Sequence, residues 1–158
     1  MYKSLQFARR AAISGTALAA LLSSACKSSS SITSPQPAAI APSNQSNNQL
    51  GTAGKILSRP AEVVVTDAGG NPVPRVTVTW TVAAGSGVIT ASGDTTTFAT
   101  TATSVTDDFG VAAVVWELGP TPGTDTITAT ADGGSTTTIS ATARAATSSQ
   151  VRREGNEE

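Results

Sequence analysis

Two acidic turns are the first places in this chain where chemistry could occur: Asp67 with Asn71, and the pair Asp107-Asp108. Oxygen-bearing side chains of this kind suit calcium, which takes about six to eight oxygen ligands. The spacing matches no EF-hand loop, however, and Asp or Asn beside Gly is what a tight turn requires, so a turn role is expected. Hydrolytic chemistry is harder still to assemble. The 158 residues include no histidine, which removes the commonest general base and the commonest metal ligand together. A Ser-Lys pair would have to use Lys55, the only lysine of the central region, and no Ser-x-x-Lys spacing surrounds it. Glu62 and Glu117 alternate with apolar neighbours as solvent-facing strand residues do, not as a glycosidase acid pair. The expectation is a protein that is not an enzyme and holds no cofactor or metal.

The elements that would position any site are strands. From Val76 to Val82 the apolar residues Val76, Val78, Trp80 and Val82 alternate with Thr77, Thr79 and Thr81, the period of a strand with one buried face. Before it, Arg59–Thr66 reads as another strand, with Asp67 to Pro72 as the connection. Val88–Ala91, Thr95–Thr106, Val111–Leu118, Asp125–Ala131 and Thr136–Ala143 follow, separated by turns such as Gly85-Ser86-Gly87 and Asp132-Gly133-Gly134. Turn signals every ten residues or so are the rhythm of a β-sandwich, and the stretch 51–145 is long enough for one core only. Trp80 and Trp116, each in phase with Val and Leu, are the expected bulky centre. The fold class expected is therefore all-β, a single antiparallel sandwich of about seven to nine strands.

Exposed aromatic contacts are scarce. Phe109 lies in the Asp107–Gly110 turn and is the best single candidate for a ligand contact, with capping of the sandwich end as the alternative. The threonine face, Thr77, Thr79 and Thr81, is the candidate on a sheet surface, and Thr-rich edge strands could pair with a partner strand. Such features would serve an unknown protein or a polysaccharide. Nucleic acid is excluded as a partner by charge: beyond Ala25 there are seven basic and eleven acidic residues, a net of −4, with no basic cluster.

The two ends read differently. Residues 1–25 combine Lys3, Arg9 and Arg10 with an apolar run from Ala11 to Leu22 that is too short to span a bilayer, which predicts a cleaved export signal. The run after Arg9-Arg10 lacks the pattern of twin-arginine export. Leu22-Ser23-Ser24-Ala25-Cys26 resembles a bacterial lipobox, whose cysteine receives a diacylglyceryl group and becomes the mature N-terminus. Ser23 stands where the pattern usually has an aliphatic residue, and Ser23 with Ala25 also suits an ordinary signal peptidase. Lipidation of Cys26 accounts for the single cysteine of an exported chain. It predicts a membrane anchor at the outer membrane or cell surface, with a soluble periplasmic or secreted protein as the alternative. Residues 26–50 are expected to form a tether rich in Ser, Pro and Asn, with an edge strand possible near 38–41. Residues 146–158 read as a disordered tail.

The run Val65 to Trp80 (VTDAGGNPVPRVTVTW) resembles the bacterial immunoglobulin-like group 1 domain found in intimins and invasins. Thr106-Asp107-Asp108-Phe109-Gly110-Val111-Ala112 resembles the T-D-x-x-G-x-A turn of that family, and Trp116 to Ala129 resembles its late strand pair. The likeness covers about Ala38 to Arg144. It implies an Ig-like sandwich used at bacterial surfaces as stalk, spacer or adhesive module. A single copy with no β-barrel and no lectin-like domain departs from the best-known members.

Overall fold

The structure, a computed structural model, describes residues 35–94 and 96–147. The expected export signal, the lipidation site Cys26 and all but the start of the expected tail lie outside the described residues. Nine strands form within them: β1 (Ala39–Pro42), β2 (Gln49–Thr52), β3 (Ala61–Thr66), β4 (Thr77–Ala84), β5 (Val88–Ala91), β6 (Thr101–Val105), β7 (Val111–Glu117), β8 (Gly123–Ala131) and β9 (Thr136–Arg144). They make two sheets, ordered β1-β3-β7-β5 and β2-β9-β8-β4-β6. The architecture is an Ig-like β-sandwich. One pairing departs from the expected antiparallel pattern: β2 runs parallel to β9, with Gln49 opposite Ala141.

Alternation decides which residues form the core. Val63 and Val65 on β3, Val78 and Trp80 on β4, Ala112, Val114 and Trp116 on β7, Ile127 and Ala129 on β8, and Ile139 and Ala141 on β9 are all buried between the sheets. Both tryptophans are fully buried, as their phase predicts. Val82 keeps the inward phase and packs against the core but is only half-buried, and the register of β4 with β8 shifts just after it.

Adjacent strands in sequence are not always partners. β3 and β4 look like a hairpin in sequence, yet they belong to different sheets. The chain first closes a short loop on itself, Val73 N–H donating to the Val65 carbonyl at 3.0 Å. It then crosses over through Pro74-Arg75, where Arg75 takes φ +60° and Val73 and Val76 are buried on either side. The strand expected at Thr95–Thr106 shortens to Thr101–Val105, because the Asp94 carboxylate gathers the N–H groups of Thr96 (2.8 Å) and Thr97 (3.3 Å) into a turn.

β1 falls where an edge strand near 38–41 is expected, whereas the start of β2 falls in the stretch whose composition predicts a tether. Ile40 is their one large buried apolar residue, and polar contacts supply the rest. Buried Ser46 accepts the Glu62 N–H at 3.1 Å, and Asn47 Oδ1 accepts the Ser140 N–H at 2.9 Å.

The pairing register fixes two poles. Ala39 faces Thr66 and Thr130 faces Thr136, so the loops 67–76, 106–110 and 132–135 gather at one pole, where the chain also comes in. Thr52 faces Arg144 and Gly123 faces Ala143, so the chain leaves at the opposite pole. The nine-residue strands β8 and β9 set the distance between poles at about 30 Å.

Candidate functional site

At the first pole the two acidic turns prove to be the same device used twice. Asp67 Oδ1 accepts the N–H groups of Gly69 and Asn71, each at 2.8 Å, and Asp107 Oδ1 accepts those of Phe109 and Val111, each at 2.9 Å. Each turn is closed by a glycine at positive φ, Gly70 at +82° and Gly110 at +71°, donating to the carbonyl of its aspartate. The hydrogen bonds from Asn71, from both its backbone and its side chain, hold the Asp67 carboxyl below the ordinary carboxylate range, and those from Thr96 do the same for Asp94. The carboxylates are thus engaged by local backbone donors, and no cluster of three acidic or Cys side chains stands ready for a metal among the described residues.

Thr106, just before the second turn, is a contact that composition does not reveal. It is buried, its Oγ1 accepts the Val76 N–H and donates to the Val73 carbonyl, both at 2.8 Å, and it thereby clamps the crossover between sheets. Thr106→Val keeps the shape but orphans that donor and that acceptor. It is expected to destabilise by about 1–3 kcal/mol in denaturant titration, while Thr106→Ser stays within about 1 kcal/mol of the parent.

The clamp and turn present Phe109 at the pole, 75 % exposed. It does not cap the core, so of the two sequence readings the exposed one describes its position. Thr77, Thr79 and Thr81 are all exposed on the outer face of the five-stranded sheet. Strand order widens that face beyond them. Thr103, Thr79, Thr130 and Thr136 form one rank across β6, β4, β8 and β9, and Thr101, Thr81, Thr128 and Thr138 form the next. Ranks of this kind sit about 7 Å apart along the strands and about 4.8 Å from strand to strand. A shallow groove of about 480 Å³ at the pole is lined by Thr77, Thr79, Thr130, Asp132 and Gly133. Phe109 sits on the loop after β6 and does not line it.

The residues weighed for catalysis are dispersed. Lys55 is exposed in the turn after β2, where its N–H bonds the Thr52 carbonyl. Glu62 lies opposite Ala113, which places it about 13 Å along the strand direction from Glu117, beyond the separation of either glycosidase geometry. Asp125 is the one buried carboxyl among the described residues, with Oδ2 accepting the Gly119 N–H at 2.7 Å and Gly85 packed against Oδ1. It ties the 119–123 loop to its strand. The outer face of the four-stranded sheet is aliphatic, with Val64, Val111, Ala113 and Val115 half-buried between Glu62 and Glu117.

Fold and surface together define an Ig-like sandwich module with a closed core and shallow outer faces. No family model and no curated protein matches the chain. Among solved structures, 18 chains match. One is the D00-D0 domain of intimin, 16% identical with a TM-score of 0.45, the match covering 71% of this chain and 48% of that one. The chain therefore spans about half the length of that solved chain.

Proposed function

We propose that this chain is an envelope-anchored Ig-like module of the bacterial group 1 type, a non-enzymatic spacer or protein-binding domain held to a membrane through lipidated Cys26. The observation that carries the reading is the path of the chain, which comes in at one pole and leaves at the other about 30 Å away. Such a module projects whatever its far pole bears away from the point of attachment. The motif residues Thr106, Asp107, Gly110 and Ala112 support the group 1 assignment, since each contributes to the fold, respectively as clamp, turn acceptor, positive-φ glycine and buried contact.

Detergent phase partition with intact-mass analysis tests the anchor. The exported protein is expected in the detergent phase with a diacylglyceryl-modified Cys26 at its N-terminus, and Cys26→Ser is expected in the aqueous phase without that mass. An unmodified Cys26, or a different mature start, refutes the anchor. Polysaccharide or peptidoglycan binding is the second reading, favoured by the groove in which threonine hydroxyls from Thr77, Thr79 and Thr130 stand beside Asp132.

A further inference from the structure

At the pole where the chain comes in there is a cavity of about 390 Å³. Pro35 and Pro37 line it from the entering segment, Pro74, Arg75 and Val76 from the crossover, and Asp132 from the β8–β9 turn. Backbone bonds hold these three parts in place: Ala38 N–H donates to the Thr66 carbonyl at 2.8 Å, Arg75 N–H to Thr106 at 2.9 Å and Asp132 N–H to Thr77 at 2.8 Å. Proline has a fixed φ, so three prolines make the cavity stiff before anything binds. Arg75 takes φ +60°, a left-handed conformation that a residue other than glycine rarely adopts. Glycine would occupy that place without strain, so the backbone alone does not call for an arginine.

The charges of the lining select a ligand. A guanidinium binds phosphate through two parallel N–H···O bonds, and a carboxylate on the same space binds an ammonium. Arg75 and Asp132, both exposed, therefore suit a zwitterion. Asp67, Asp107 and Asp108 stand on the neighbouring loops of this pole, so carboxylates outnumber Arg75 there and a purely anionic ligand is repelled. Among the described residues no aromatic side chain lines the cavity, whereas a quaternary ammonium is held by an aromatic cage. An ammonium that carries its own N–H donors fits better.

We propose that this cavity takes the phosphoethanolamine headgroup of a membrane lipid, with its phosphate on Arg75 and its ammonium on Asp132. The source of the ligand rests on the anchored reading of the chain. Pro35 stands nine residues after Cys26, a reach of at most about 30 Å, so a lipidated Cys26 keeps this pole beside the headgroups. Two exposed charges make a weak contact, with a Kd on the order of 1 mM or above. The tether makes that sufficient, because it holds the headgroups at a high effective concentration. The contact seats the entering pole on the bilayer and directs the opposite pole outward.

The test uses the exported chain from residue 26 with Cys26→Ser, so that binding is read without an acyl chain. Amide shifts are followed with glycerophosphoethanolamine, glycerophosphocholine and inorganic phosphate, each to about 20 mM at constant ionic strength. Shifts at Arg75, Asp132 and Gly133 are expected with the ethanolamine headgroup, at an affinity about fivefold above the other two. Arg75→Gly removes the guanidinium and relieves the left-handed strain, and Asp132→Asn keeps the backbone bond to Thr77. Each is expected to weaken binding about fivefold, with no loss of folding stability in Arg75→Gly. The same amides are expected to broaden with phosphatidylcholine vesicles containing phosphatidylethanolamine in equal amount, and not with phosphatidylcholine alone. No shift with the ethanolamine headgroup, an equal response to all three probes, indifference to both variants, or silence toward the mixed vesicles overturns the inference. A Cys26 without its lipid refutes the anchor by mass alone, which separates that failure from this one.

Discussion

Trp80→Ala is expected to destabilise the domain by about 3–5 kcal/mol, the range for removing a large buried aromatic and leaving a cavity. Trp80 is fully buried on β4, between β8 and β6 in the five-stranded sheet. Burying an indole removes on the order of 200 Å² from water, so the transfer contribution alone is about 5 kcal/mol by area. A domain of this size has about 5–15 kcal/mol in all, so the variant sits near the threshold of folding. Phenylalanine separates packing from hydrogen bonding. Trp80 Nε1 donates to Ser104 Oγ at 2.8 Å, whereas the equally buried Trp116 Nε1 has no partner. Trp80→Phe therefore loses a bond of about 0.5–1.5 kcal/mol beyond the volume change, and Trp116→Phe removes an unpaired donor. In urea titrations Trp80→Phe is expected to be the less stable of the two. The reverse order would show that Ser104 does not hold the indole in solution.

The same contrast shows what alternation in a sequence conveys. It places Trp80 and Trp116 in the core because each sits two residues from a buried Val, Ala or Leu, and β4, β7, β8 and β9 were legible for that reason. β1 was legible only as an edge strand near 38–41 and β2 not at all, because Ile40 is their only large buried residue and Ser46, Asn47 and backbone pairing supply the remainder. No composition rule separates such a stretch from a tether. The sheet crossover after Thr66 was hidden because a loop that closes on itself and one that passes to the other sheet draw on the same Asp, Gly, Asn and Pro. The candidate surface was half legible. Thr77, Thr79 and Thr81 announce an exposed face, but Thr103, Thr130 and Thr136 join Thr79 only through the order β6-β4-β8-β9, which is a long-range property.

Gly110→Ala is expected to cost about 2–5 kcal/mol, and Gly70→Ala supplies the reference that explains why. The two glycines hold the same place in the same turn, each three residues after an aspartate that accepts two backbone N–H groups. Both lie at positive φ, +71° and +82°, where a β-carbon costs about 1–2 kcal/mol. Their surroundings differ. A β-carbon on Gly70 meets nothing within 4 Å, whereas one on Gly110 would stand 2.7 Å from the Val65 carbonyl oxygen and 3.1 Å from the Val73 nitrogen. Those atoms are backbone, and they are the two partners of the bond that closes the loop between β3 and the crossover, Val73 N–H to the Val65 carbonyl, next to the bond from Val65 N–H to the Gly110 carbonyl. Relief of the clash must therefore shift the pairing of β3 with β7 or the crossover itself, a strain of about 1–3 kcal/mol that Gly70→Ala does not incur. The difference between the two variants in denaturant midpoint isolates that close approach. Equal losses would mean that φ alone makes glycine necessary at residue 110, and that the two turns do not pack on one another as the structure has them.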